Sequence, residues 1–274
     1  STIVGDNVLV NLQKKMIDRL EEQFYVLRER ESELVESNEY KNQIIGNYEN
    51  YSRAMLPPLV RDRLTDYKVA VVVSGDSEIP AGMLNALSVA GAEVVSKTVA
   101  LSNLNFSDKN LKQDVQKFYG LDNNAGRDTL RQYIATSVGH IMLNDAETGG
   151  TKDFLQKMNL IKFSGDNSIP VDGVILVGGA NNIANLHVKS FDQGLIDILT
   201  VEGIRIFGVE TKDVKYSFMP QYQENNISTI DNIDFSPGQI SLVLAMEGEP
   251  GHYGVKPSAQ KFMPSFPVES IGGR

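Results

Sequence analysis

The stretch KVAVVVSGDSEIPAGMLNALSVAGAEVVSKTVAL, residues 68–101, predicts the fold more clearly than any other part of the chain. It opens with a continuous run of apolar, mostly β-branched residues that ends at Gly75, which is typical of a strand buried in a parallel sheet. An apolar segment of helical length follows, and EVVSKTVAL then predicts a second strand. Together they form one β-α-β unit, in which the helix connects two parallel strands.

Segments further along the chain repeat this alternation. VDGVILVGGANN (171–182) predicts a strand that runs into a glycine turn, FDQGLIDILTVEG (191–203) a helix, and IRIFGVET (204–211) a strand. NISTID (226–231) predicts another strand and SPGQISLVLAMEG (236–248) the last helix. Because strands and helices of these lengths alternate, we expect an α/β domain with a mostly parallel, doubly wound sheet.

The N-terminal region has a different pattern, rich in charged residues and free of proline. Leu20, Leu27 and Leu34 recur at seven-residue intervals and fit the d positions of a heptad, with Asn38 at an a position. This spacing predicts a long helix that pairs with a second copy of the chain in a coiled-coil homodimer. The alternative is a single helix that packs on its own domain.

Two consecutive prolines, in MLPPLV (55–60), predict the end of this helix, because proline lacks the amide hydrogen that a helix interior needs. We therefore divide the chain into a coiled-coil helix (1–54), an α/β domain (55–264) and a flexible tail (265–274) that is rich in proline and glycine.

The composition excludes several classes of protein. The formal net charge of −9 over 274 residues argues against a nucleic-acid partner. The absence of cysteine excludes disulfides and thiolate metal sites. No apolar run approaches the roughly 20 residues of a membrane-spanning helix.

Small polar residues follow the predicted strands, and ligands of open α/β sheets bind outside the carboxyl ends of the strands. The candidate binding rim consists of Ser74, Asp76, Gly178, Gly179, Asn181, Asn182 and Asp231. The alternative is ordinary turn chemistry. Neither a G-x-G-x-x-G fingerprint nor a P-loop nor a G-x-S-x-G elbow is present, so the sequence predicts no enzyme and no cofactor.

Histidine and methionine are the remaining residues that could bind copper. The three histidines form no close pair, and the eight methionines are scattered, as expected of residues that fill a core. His252 and Met246 are the only weak candidates for a metal site. We therefore expect no tight one-to-one Cu(I) site in an isolated monomer.

The C-terminal stretch, 227–259, is predicted to complete the sheet rather than to form a site. Ser236 and Gln239 fit the cap and the third position of a capping box. Asp231 is expected to face a solvated rim, so that Asp231→Ala would leave the stability nearly unchanged. The alternative is a functional pair of Asp231 and His252.

The same stretch carries a family resemblance. ISTIDNIDFSPGQISLVLAMEG (227–248), followed by GHYGVKPSA (251–259) and a later Met-Pro pair, resembles the C-terminal hallmark of the MctB-type copper-transport protein family. LPPLVRDRLTDYKVAVV (56–72) and LSVAGAEVVSKTVAL (87–101) are also similar to that family.

This resemblance implies a cell-envelope protein that handles copper without enzymatic activity. It also implies a single membrane anchor upstream of residue 1, followed by a coiled-coil stalk and a soluble α/β domain. The alternative function is a structural or interaction module of the envelope, whose stalk dimerises and whose domain binds a partner or a small ligand. An enzyme with a small-molecule site at the strand ends ranks last, because no catalytic motif supports it.

Overall fold

A computed structural model describes residues 2–145 and 149–265. The chain divides into two compact units, Ser1–Tyr51 and Ser52–Arg274. Of the tail predicted at 265–274, all positions after 265 lie outside the described residues.

The first unit is helical throughout its described part and belongs to helix α1, Thr2–Val60. The leucines of the predicted heptad line, Leu20, Leu27 and Leu34, are exposed to between 62% and 64%. The predicted long helix is therefore confirmed, while its pairing with a second copy stays a prediction. Within the described residues, no helix combines the length and the apolar character needed to cross a membrane.

The prediction that the two prolines end the helix is wrong. Pro57 and Pro58 lie inside α1, and a bond from the Arg61 amide to the Pro57 carbonyl (3.0 Å) continues the helical pattern beyond them. Burial explains this outcome, because Leu56 and Val60 lie in the apolar core of the second unit. Their packing stabilises a last turn that local preferences alone would not favour.

The second unit is built on a seven-stranded sheet with the order β3-β2-β1-β4-β5-β6-β7. All neighbouring strands are parallel except β2 and β3, which are antiparallel. The strands are β1 Lys68–Val73, β2 Glu93–Ala100, β3 Ile161–Gly165, β4 Gly173–Val177, β5 Arg205–Val209, β6 Ser228–Ile230 and β7 His252–Tyr253. The predicted α/β class with a mostly parallel, doubly wound sheet is confirmed.

Helices cover both faces of the sheet, so the central strands are apolar on both sides. The end of α1 packs on one face together with α2 (Ala81–Val89) and α8 (Ser236–Glu247). The other face carries α3 Lys109–Phe118, α4 Arg127–Met142, α5 Gly149–Lys157, α6 Gln193–Val201 and α7 Met219–Glu224. The side chains of β1 alternate between the two faces of the sheet. Ala70 and Val72 face the helices α3 to α7, and Val69 and Val71 face the end of α1, α2 and α8.

The strand order reverses between β1 and β4. After β1 the chain continues to β2 and β3 on one side, whereas β4 is followed by β5, β6 and β7 on the other. The loops that leave β1 and β4 therefore diverge at their carboxyl ends. A crevice opens at such a reversal, and this is where open α/β folds bind their ligands.

The cap predicted for α8 is wrong. Ser236 is the first residue of α8 rather than its cap. The side chain of Gln239 donates to the Ile233 carbonyl (3.1 Å), so it does not form the expected capping box.

Candidate functional site

The loops after β1 and β4 are joined by the carboxylate of Asp76. It accepts from the amides of Asn181 (2.7 Å) and Asn182 (2.8 Å) and from the side chain of Asn185. Burial acts to raise the pKa of Asp76, but the hydrogen bonds from the three asparagines outweigh it and hold the pKa below its ordinary value. Four predicted rim residues, Ser74, Asp76, Asn181 and Asn182, thus lie at one crevice.

The rim glycines allow the two loops to approach closely. A β-carbon at Gly75 would collide with the carbonyl of Gly179, and the Asp76 amide donates to that same carbonyl (3.1 Å). Gly179 has a φ of +89°, a conformation that side chains disfavour. The hydroxyl of Tyr222 and the ring of Phe218 occupy the space beside Gly178. The glycines therefore shape the crevice, and their role here is one of backbone geometry.

A buried polar network lies behind Ser74. Its hydroxyl donates to Oδ2 of Asp192 (2.6 Å), and the hydroxyl of Tyr222 donates to the same oxygen. The other carboxylate oxygen, Oδ1, is buried without a partner in the described chain. Burial raises the pKa of Asp192 to about 6, although the two hydroxyl donors oppose this rise.

A cavity of about 210 Å³ opens beside this network, between the ends of β1 and β2. It is lined by Ser74, Gly75, Asp76, Ala100, Leu101, Ser102, Leu104, Asn185 and His187. His187 is only 7% exposed, and its Nε2 is buried with no hydrogen-bond partner in the described chain. Burial, together with the nearby charge of Arg131, lowers the pKa of His187 to about 4, so the ring is neutral near pH 7.

Sequence reasoning did not place His187 or Asp192 in the site. His187 directly precedes a π-helical turn, Val188–Asp192, and Asp192 is the last residue of that turn, which leads directly into α6. Turns of this kind are rare and are frequently found at functional sites. The only local signal was a histidine soon after the asparagine-rich loop, which the sequence offered no reason to connect with Ser74.

The strands β5 and β6 are followed by two further acidic residues, and the carboxylates of both are bonded to other groups of the same domain. Glu210 is fully buried and pairs with the ammonium group of Lys256 (2.6 Å). Asp231, at 2% exposure, accepts from the amides of Val255 (2.8 Å) and Lys256 (2.9 Å). The expectation that Asp231 faces a solvated rim is therefore wrong, because the segment after β7 folds over its carboxylate.

The weak metal candidates lie in separate environments. Met246 is buried in the apolar core between α8 and the sheet, whereas His252 on β7 shares a hydrogen bond with the Thr229 hydroxyl (3.0 Å). Burial lowers the pKa of His252. Since the oxygens of Asp231 are used by backbone amides, the hydrogen bonds of the described residues do not support a pair of Asp231 and His252. The described residues contain no group of three or more His, Asp or Glu side chains placed to hold a metal ion.

In a comparison with known families, the chain matches the family described as "Copper transport outer membrane protein, MctB" over residues 3–264. No curated protein matches the chain. The matched range contains all but the first residue of the long helix, the whole sheet and the C-terminal segment that covers Asp231.

Proposed function

Since the chain belongs to the MctB family of copper transport outer membrane proteins, we propose that it serves copper homeostasis as a membrane-anchored, non-enzymatic protein of the cell envelope. The family match over 262 of 274 positions, residues 3–264, carries this proposal. In a strain that lacks the gene, we expect restored copper tolerance when the full-length protein is returned. Unchanged copper sensitivity and copper content in both strains would contradict the proposal.

A non-enzymatic role is supported by how the acids at the strand ends are bonded. A general base or nucleophile needs a lone pair directed at substrate. Asp76 accepts three hydrogen bonds from the β4 loop, Glu210 is ion-paired, and Asp231 accepts two backbone amides. These carboxylates hold loops together, which favours binding or scaffolding over catalysis.

The proposal includes a homodimer formed through the N-terminal helix. The line of exposed leucines supports it, because such side chains leave water when two heptad seams meet. Leu20→Glu with Leu27→Glu places charge in the seam, and the mass in solution should fall from dimer to monomer by light scattering. Tyr25→Glu with Val26→Glu is the matched control, since both residues are exposed apolar positions outside the seam. A monomeric parent protein, or equal masses for both double variants, would refute the pairing.

Copper is proposed to be the cargo of a pathway in which this chain acts together with a partner. Met246 is enclosed in the core and His252 already has a hydrogen-bond partner. The two side chains therefore do not form an accessible thioether–imidazole pair that could bind Cu(I). In competition with a Cu(I) chelator, the monomeric seam variant should fail to retain a stoichiometric ion. A one-to-one complex that survives a strong competitor would establish a direct copper role instead.

Membrane anchorage through a segment upstream of residue 1 is the remaining part of the proposal, and it is supported by the family's outer-membrane description. After cell fractionation, the product of the complete gene should stay in the membrane fraction through an alkaline wash. Release into the soluble fraction would argue for peripheral attachment.

The alternative, a structural or interaction module of the envelope, is favoured by the same exposed seam. The two functions predict different behaviour of the seam variant in cells. If Leu20→Glu with Leu27→Glu leaves copper tolerance intact but disturbs envelope integrity, the structural function is the better account.

A further inference from the structure

From the cavity at the ends of β1 and β2 we infer a binding site for a small, neutral, polyhydroxylated ligand, of about the size of one sugar ring. This site is separate from copper handling and from the helix seam. Its location agrees with the general position of ligand sites in doubly wound sheets, beside the point where the strand order reverses.

The size of the cavity limits the ligand. Its volume of about 210 Å³ lies below the roughly 300–1,000 Å³ of pockets that hold drug-sized molecules. Filled with liquid water at about 30 Å³ per molecule, it would hold roughly seven molecules. A dinucleotide or a long peptide is therefore too large, while a single ring fits.

The polar wall is rich in acceptors. Asp76 lines this cavity, and its Oδ1 accepts a single hydrogen bond, from Asn185, while the Ser74 hydroxyl gives its proton to Asp192 and so presents lone pairs. Asn185 uses its amide nitrogen on Asp76, which leaves its carbonyl oxygen available. A ligand that brings several hydroxyl donors would satisfy this wall, because each O–H group can donate to one of these oxygens.

His187 is the observation that points most directly to a missing partner. Its side chain is more than nine-tenths buried, it lines the cavity, and Nε2 has no hydrogen-bond partner in the described chain. A buried polar atom without a partner costs free energy, so native proteins rarely leave one. A ligand hydroxyl or an ordered water molecule would satisfy it once the imidazole turns enough to bring Nε2 to the wall of the cavity.

The charges select a neutral ligand. Asp76 would repel a phosphate or carboxylate, and a neutral His187 offers no compensating positive charge. A cation is also disfavoured, because the positive charge of Arg131 lies near His187 and helps to lower the pKa of its imidazole. The opposite wall is apolar, formed by Ala100, Leu101 and Leu104, and can pack against the C–H face of a ring.

The test uses the full chain and ligand-observed NMR. The neutral probes are glucose, galactose, mannose, ribose and myo-inositol, and the charged comparators, which keep the ring, are glucuronate and glucosamine. At least one neutral probe should bind with a Kd of about 1 mM or tighter, as expected for a ligand of this few atoms. Failure of all neutral probes to bind would overturn the inference, and so would stronger binding of either charged comparator.

Variants locate the binding. Ser102 is exposed at the cavity, so Ser102→Phe should fill the space and abolish binding while the protein stays folded. His187→Gln should weaken binding roughly tenfold, through the loss of one buried hydrogen bond. His252→Gln, a histidine outside the cavity, is the matched control and should bind like the parent protein. If Ser102→Phe binds the probe as well as the parent protein does, the ligand sits elsewhere and the assignment is wrong.

Discussion

Replacing Asp231 by alanine should destabilise the second unit strongly, although the residue looks like a surface acid in the sequence. The carboxylate accepts from two successive amides, those of Val255 and Lys256, at 2.8 and 2.9 Å. These bonds fasten the segment after β7 to the end of β6. Alanine removes both acceptors and puts no other polar group in their place.

The magnitude follows from the two amides that lose their acceptor. Each buried donor left unpaired costs about 1–3 kcal/mol. Both amides are only partly buried, so water can replace part of the lost bonding, and we expect a total near 2–4 kcal/mol. For a unit of this size, that corresponds to a fall in Tm of roughly 5–15 °C.

Urea denaturation followed by circular dichroism measures this loss directly. Asp234→Ala is the matched control, because Asp234 lies three residues away and accepts a single bond, from the exposed Lys212 amide (3.0 Å). It should cost about 1 kcal/mol or less. Asp231→Asn should be intermediate, since its amide keeps one acceptor oxygen. If Asp231→Ala and Asp234→Ala unfold at the same urea concentration, the carboxylate does not fasten the C-terminal segment and our reasoning fails.

The remaining predictions concern the buried polar groups and the core. Lys256→Met should destabilise by about 3 kcal/mol in urea, because it leaves the buried Glu210 carboxylate without its cation, and adding Glu210→Gln should recover part of the loss. Burial raises the pKa of Asp192 to about 6, so the contribution of Asp192 to the free energy of unfolding falls as the pH rises from 4 through 6. Asp192→Asn should therefore gain stability relative to the parent protein towards pH 7, by up to roughly 3 kcal/mol. The pKa of His187 is lowered to about 4, so its contribution to stability changes with pH in the opposite direction and is lost as the pH falls from 6.5 to 4. His187→Gln should therefore gain stability relative to the parent protein towards acid pH. If the stabilities of both variants have the same slope against pH in thermal melts, both assignments are contradicted. Leu244→Ala should cost about 2–5 kcal/mol, because its side chain is buried between α8 and the sheet, and a melt unchanged from the parent would refute that packing.

Five of the seven strands could be predicted from local sequence, whereas β3 and β7 were not predicted. A continuous β-branched run such as 69–73 has no polar face, so it is stable only with apolar cover on both sides. The long N-terminal helix was likewise readable, because its heptad spacing is a local property. In each case, the residues that determine the element lie within or directly beside it.

The end of α1 and the first turn of α8 could not be predicted from local rules. Pro57 disfavours a helix, yet the burial of Leu56 and Val60 in the sheet's core outweighs that preference. Ser236 has the composition of a cap, but the structure uses it as the first helical residue. Local sequence determines which secondary structure a segment prefers. Tertiary packing that stabilises another conformation by a few kcal/mol overrides this preference.

The candidate site, like the fold, could be predicted only in part from the sequence. That small polar residues follow the strands was evident from the sequence, and the general geometry of parallel sheets brought Asp76 together with Asn181 and Asn182. The contact of Ser74 with Asp192, across 118 positions, was not evident.

By itself, the sequence determined the α/β class, the parallel strands and the long charged helix, because each depends on the spacing of apolar residues along a short segment. Only the tertiary structure decided which polar groups are buried. Asp231 ends a predicted strand and His187 stands in a stretch of ordinary loop composition. Whether each finds a hydrogen-bond partner depends on residues that are remote in sequence. Desolvation is the physical reason: a carboxylate or an imidazole changes its pKa, and its effect on stability, according to the atoms that replace water around it.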